Sequence, residues 1–297
     1  MRTKSVFTGS CCAIITPFDK NGDINFPALK EIVEFQVENG TDCICACGTT
    51  GEASTMNDKE HLSVIEFIVN TVNGRIPVIA GTGSNDTRHG LELCKDACAL
   101  GVDGLLVVTP YYNKTSQRGL VHHYNTIADS VVKPIIIYNV PGRTGCNVAP
   151  ATLKTLAEHP NIAGIKEASG NMAQVVEMMS LCADKIDFYS GNDEINIPIM
   201  AMGGSGAISV LANVAPAQTH NMLKYALDGD YKNASKMQME ALDLINSLFC
   251  EVNPIPVKEG MNLLGFNAGY TRLPLYEMAS ENVERLRNSM KNYGLIK

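Results

Sequence analysis

KPIIIYNVP (133–141) and NIAGIKEAS (161–169) are short apolar runs rich in β-branched residues and flanked by Pro, Gly or Asn, the punctuation of a strand running into a turn. Six more runs share the pattern: FTGSCCAIITPF, DCICACGTT, IPVIAGTG and GLLVVTP before them, KIDFYSGND and GAISV after. Strands are therefore predicted to begin near Cys11, Cys43, Pro77, Gly104, Pro134, Ile162, Ile186 and Gly206. Between them lie stretches such as ALKEIVEFQVENG, KEHLSVIEFIVNTVNG and TRHGLELCKDACALG. Their apolar residues recur at three- and four-residue spacing and each ends in Gly, the marks of amphipathic helices. Strand starts fall roughly 20 to 34 residues apart, room for the helical crossover that parallel neighbours require. Eight such units predict an α/β protein, a (β/α)8 TIM barrel.

A doubly wound open sheet is the rival, with five or six strands and a glycine-rich fingerprint after the first. Here the first run ends in TPFDKNG, GTGSND at Gly81 lacks the third glycine of that fingerprint, and no Walker A sequence occurs. The barrel is the better reading. After about residue 216 the strand runs stop, and NMLKYALDGDYKNASKMQMEALDLINSLFC, the stretch near Val257 and NVERLRNSMKNYG read as helices. The expected division is a catalytic barrel over 1–224 and a small C-terminal helical domain over 225–297.

Composition bounds the function. The chain of 297 residues is 45% hydrophobic and 19% charged, a globular balance, and its formal net charge of −7 opposes binding to nucleic acid. No run of about 18 apolar residues predicts a membrane span. The head MRTK with the apolar stretch behind it faintly resembles a signal peptide, but Gly9, Ser10 and the β-branched residues favour a first strand. Ten cysteines in a chain with its own core read as reduced, buried small hydrophobes, which makes the cytoplasm the expected compartment.

Alternation in NIAGIKEAS puts Ile162, Gly164 and Lys166 on one face, toward the barrel interior or its mouth, and turns Glu167 away. A desolvated lysine becomes a neutral amine that attacks keto carbons, although a structural salt bridge to a barrel carboxylate explains a buried Lys166 equally well. Tyr138 shares a face with Ile136 and is predicted to project inward at the catalytic end, as a proton shuttle or as a packed aromatic. Arg143, in a Gly-rich loop, suits a bidentate carboxylate clamp or an ordinary solvated position. CGTTGEAS offers hydroxyls and backbone N–H groups to an anion, and a plain helix cap accounts for it nearly as well. Cys43, Cys45 and Cys47 alternate, so all three are expected to face one way as packing, since C-x-C-x-C without histidines is poor zinc spacing. His122–His123 lacks a metal framework, Met172, Met178 and Met179 read as core filler, and GGSG at Gly203 suits a phosphate loop or a tight lead into the last strand.

Together, GTTGE at Gly48, TPYYNK at Thr109, YNVPGRTG at Tyr138, GIKEASGN at Gly164 and NPIPVK at Asn253 resemble the dihydrodipicolinate synthase family, within the N-acetylneuraminate lyase superfamily of Schiff-base aldolases. The match runs nearly end to end. The resemblance implies condensation of pyruvate with L-aspartate 4-semialdehyde, without metal or cofactor, in a homotetramer. It makes Lys166 the imine-forming lysine and Thr49, Tyr138 and Tyr112 a proton relay, with Tyr112 reaching into a neighbouring subunit. Thr50 matches the contact for the pyruvate carboxylate and Arg143 that for the second substrate's carboxylate, while Gly191 and Ile208 match positions lining the site. R-T-G after YNVPG favours the synthase over the superfamily's sugar-acid lyases and dehydratases, which remain the alternative beside a non-catalytic binding protein.

Two departures stand out. Thr115 follows YYNK where many relatives have Pro. The lysine-binding allosteric pocket of regulated relatives aligns with Ser54, Met56, Asp58, His61, Asn85, His89 and Tyr111. Asp58 stands where histidine is common and His89 where glutamate is common, so the charges of that pair are exchanged.

Overall fold

The computed structural model describes residues 5–297. Eight parallel strands close into a barrel in sequence order: β1 (Gly9–Ala13), β2 (Cys43–Ala46), β3 (Val78–Gly81), β4 (Gly104–Val108), β5 (Ile135–Asn139), β6 (Ile162–Glu167), β7 (Asp187–Ser190) and β8 (Gly206–Ser209), with β8 paired back to β1. Each falls on one of the eight predicted runs. All are buried almost throughout, as strands covered on both faces must be.

Around the barrel run α1 (Phe26–Glu38), α2 (Asp58–Val72), α3 (Thr87–Ala99), α4 (Gln117–Ala128), the single turn α5 (Pro141–Thr144), α6 (Pro150–Leu156), α7 (Met172–Cys182), α8 (Asn196–Ala201) and α9 (Pro216–Leu227). Local chemistry starts them: Asn57 caps α2, its side chain accepting from Glu60 N while the Glu60 carboxylate accepts from Asn57 N, a full capping box. The C-terminal helical part comprises α10 (Tyr231–Leu248), α11 (Ile255–Leu263) and α12 (Ser280–Asn292). The predicted helical stretch over 221–250 is two helices. Gly229 takes φ +84° and Asp230 caps α10 by accepting from Asn233 N, so the chain turns where those residues allow it.

Two apolar clusters result. The larger lies between strands and helices and contains Met178 and Met179. The smaller fills the barrel and includes Cys11, Cys43, Cys45, Ile136, Tyr138, Tyr189 and Ile208. Phe7 stacks on Tyr189, ring centroids 4.3 Å apart, and the Tyr189 hydroxyl donates to Phe7 O, which plugs the end opposite the strand C-termini.

Strict alternation fails twice. In β6 the register steps from Ile135↔Ile162 to Ile136↔Gly164, a bulge that sends Ile162 into the outer cluster while Gly164 and Lys166 keep the inner face. Gly164 makes room there, since a Cβ would sit 3.1 Å from the Tyr189 ring. Cys43 and Cys45 point inward, but Cys47 lies past the strand at φ +51° and packs in the outer cluster. The expectation that all three cysteines share a face is corrected by that left-handed turn.

Candidate active site

At the C-terminal end of the strands lies a cavity of about 280 Å³ lined by Thr49, Thr50, Tyr138, Arg143, Lys166, Gly191 and Asn253, among others. This is the end where barrels of this kind carry their chemistry, because side chains from several strand ends and loops converge there.

Lys166 is 6% exposed and Tyr138 8%, and the two face each other as register partners on β6 and β5. The Lys166 Nζ stands 4.3 Å from the centroid of the Tyr138 ring. Among the described residues no carboxylate lies within ion-pair distance of that nitrogen, which sets aside the structural salt bridge. Glu167 points away as expected: its carboxylate accepts from Asn139 Nδ2 and Ser169 N, both at 2.8 Å, and burial raises its pKa. Gly191 has a steric reason to be glycine, for a Cβ would sit 3.0 Å from Lys166 Cε.

Below the lysine the barrel is lined with thiols. Burial pushes the pKa of Cys11, Cys43 and Cys45 up, so they serve as packing beneath the cavity, with Cys45 forming part of its wall.

Loops supply the rest. The turn after β2 presents Thr49 to the cavity and buries Thr50, whose hydroxyl accepts from Asn253 Nδ2 at 3.0 Å. Arg143 projects from α5, which Pro141 begins and Gly145, at φ +67°, ends; its guanidinium donates to Asn253 O at 3.4 Å. Ile208 faces the barrel interior alongside Tyr138, and Val210, two residues on, reaches the cavity wall. Tyr112 does not join its own chain's cavity: it is 91% exposed, at φ +68°.

Asn253 was missed as a site residue. Its Nδ2 holds Thr50, its backbone carbonyl holds Arg143, and its Oδ1 is buried with no partner among the described residues. NPIPVK marked the segment, but nothing in the local sequence says that it folds back over the barrel mouth.

A second cavity, of about 380 Å³, is lined by Ser54, Met56, Asp58, His61, His89 and Tyr111, and shares Thr49, Tyr138 and Arg143 with the first as a common wall. His89 Nε2 stands 3.0 Å from Asp58 Oδ1, and the buried His61 imidazole, its pKa lowered by desolvation, bonds Gly81 O through Nε2 at 2.8 Å. Asn85 lies outside it, in a neighbouring polar pocket with His122 and His123. Those two histidines diverge, His122 exposed and His123 buried against Thr87 Oγ1 at 2.9 Å.

Fold and cavity together define a (β/α)8 barrel with a buried lysine, free of any ion pair among the described residues, at the C-terminal end of its sixth strand. The model of the Dihydrodipicolinate synthetase family matches residues 6–293, and the chain belongs to that family. It is 54% identical, over 98% of both chains, to 4-hydroxy-tetrahydrodipicolinate synthase of Caldicellulosiruptor bescii. A dihydrodipicolinate synthase from Acinetobacter baumannii, crystallised with pyruvate, superposes with a TM-score of 0.95 at 45% identity, covering 97% of this chain and 99% of that one. The enzyme from Cyanidioschyzon merolae, with lysine bound, gives 0.96 at 36% identity over 99% and 100%.

Proposed function

We propose that this chain is a lyase that condenses pyruvate with L-aspartate 4-semialdehyde to 4-hydroxy-tetrahydrodipicolinate, on the route to diaminopimelate and lysine. The observation that carries the reading is the buried Lys166, free of any carboxylate partner among the described residues and set against Tyr138 in a cavity. Lys166 Nζ attacks the pyruvate ketone, water leaves, and the iminium acts as an electron sink, so that the tyrosine relay takes a methyl proton and an enamine remains. The enamine carbon attacks the aldehyde, the new alkoxide takes a proton, and the product's own amine then displaces Lys166 as the ring closes. Tyr138 passes the protons through Thr49, while Thr50 and Arg143 hold the two carboxylates. Each step is acid–base or nucleophilic chemistry of the protein's own side chains.

The exposure of Tyr112 supports its role as a residue lent to a second copy's site, in a homotetrameric cytoplasmic enzyme. The catalytic barrel would span 1–224 and the helical domain 225–297. The second cavity suits lysine as an effector: a ligand there touches the back of Thr49 and Tyr138, and the exchanged Asp58–His89 pair would tune its charge recognition. Full activity at millimolar lysine would remove that regulatory role.

Mass spectrometry after borohydride reduction with pyruvate, followed by peptide mapping, tests the main reading. A pyruvate adduct on Lys166 is expected; folded protein that carries none overturns it.

A further inference from the structure

We propose that Glu52 and Lys258, with Arg272, form a positioning device through which the C-terminal helical part holds the Thr49–Thr50 turn against the cavity. This rests on the reaction proposed above and adds three residues to which that reading gives no role.

Glu52 takes a left-handed conformation at φ +56°, ψ +35°, one that a residue with a Cβ adopts only when its surroundings enforce it. Its carboxylate is fully buried. Oε1 accepts from Lys258 Nζ at 2.8 Å and Oε2 from Arg272 N at 3.0 Å. Lys258 is 2% exposed, donates also to Tyr270 O, and stands 4.5 Å from the centre of the Phe18 ring. The Arg272 guanidinium lies 4.2 Å from the same ring and donates to Gly22 O, Thr55 O and Glu60. One carboxylate thus joins the loop after β2 to α11 and to the segment that follows it, two regions 206 positions apart.

The connection to the chemistry is short. Glu52 N donates to Thr49 O at 3.1 Å, and Gly51 O accepts from Thr16 Oγ1 at 2.7 Å, so the turn bearing both threonines closes on Glu52. On the far side, Asn253, just ahead of α11, holds the Thr50 hydroxyl. Residues 50 and 52 are therefore gripped by residues 253 and 258 of one segment. A buried charge pair supplies directional fixation that apolar packing of the same volume lacks, at a desolvation cost that stability alone does not require.

A purely structural staple would change melting and leave each folded site at full speed, so the test is the rate per intact site. Glu52→Gln and the neutral double variant Glu52→Gln/Lys258→Met are compared with wild type, with activity normalised to Lys166 trapped by borohydride. Hydrogen exchange of residues 48–55 is followed in parallel. We expect kcat/KM per trapped site to fall on the order of 10²-fold, as a displacement of about 1 Å implies, with protection lost in 48–55 and kept in the strands. Unchanged kcat/KM and unchanged protection in either folded variant overturn the proposal. If wild type itself traps no pyruvate, the proposed reaction fails, and the exchange data still decide whether the pair holds the turn.

Discussion

Lys166 and Lys258 are both buried, yet their surroundings are opposite. Lys258 reaches a carboxylate and a backbone carbonyl and faces an aromatic ring, and Glu52 offsets part of a burial that still pushes its pKa down to about 8. Lys166 has an aromatic ring and the cavity beside it, and no carboxylate partner among the described residues. A buried ammonium is stabilised by a counter-charge and by hydrogen bonds, and an amine that makes neither is sterically open to a substrate carbon. On the function proposed above, the difference separates a lysine that holds the structure from one kept for chemistry, although the sequence presents each only as a lysine in an apolar stretch.

Substitution breaks the comparison most sharply at Lys166. Lys166→Met should abolish the pyruvate adduct and lower the rate by at least about 10⁴-fold, the scale seen when a covalent nucleophile is lost. Its melting temperature should hold or rise, since a buried polar side chain without a carboxylate partner among the described residues is replaced by an apolar thioether chain. Lys258→Met should act in the other direction on stability, because it leaves the buried Glu52 carboxylate without its ion-pair partner, held only by Arg272 N among the described residues: a loss of about 3–5 kcal/mol by denaturant titration is expected. Adding Glu52→Gln should restore part of it. If both single variants lose stability equally, the distinction between the two lysines fails.

Tyr138→Phe keeps the ring beside Lys166 and removes the proton donor. The rate should fall by about 10²-fold with melting unchanged and the adduct still formed, which would separate proton transfer from imine packing. The smallest effect extends the contrast to a buried base with no counter-charge among the described residues. Burial pushes the His123 pKa down to about 4, below its ordinary value near 6.5. The unfolded chain then takes a proton that the folded protein refuses, so stability present above about pH 6.5 is lost as pH falls toward 4. Between pH 6.5 and 5 this group should remove on the order of 1–2 kcal/mol. His123→Gln should flatten that limb of the melting profile, and an unchanged limb would assign it elsewhere.

Much of the barrel was legible because its signals are local. Short β-branched runs bounded by turn residues mark strands, and three- and four-residue apolar spacing marks the helices between them. Lys166, Tyr138, Thr49, Thr50 and Arg143 stand in motifs at strand ends, and the fold brings all five to one cavity. Alternation misplaced Ile162 and Cys47, because a bulge and a left-handed residue shift a side chain by one position without a distinctive residue type to announce them. Asn253 escaped for a different reason. Its partners Thr50 and Arg143 lie 203 and 110 positions away, beyond any sequence window.

By itself, then, the sequence determined the order and number of strands, the helical C-terminal part and the set of chemical groups at the strand ends, since these follow from periodicity and turn chemistry within a few neighbouring residues. Which buried lysine would have a counter-charge was decided only by tertiary structure. Closing the barrel leaves the end of β6 facing a cavity, while folding the last segment back against the loops after β1 and β2 brings Lys258 to Glu52. The environment of a buried charge is set by what arrives from distant parts of the chain.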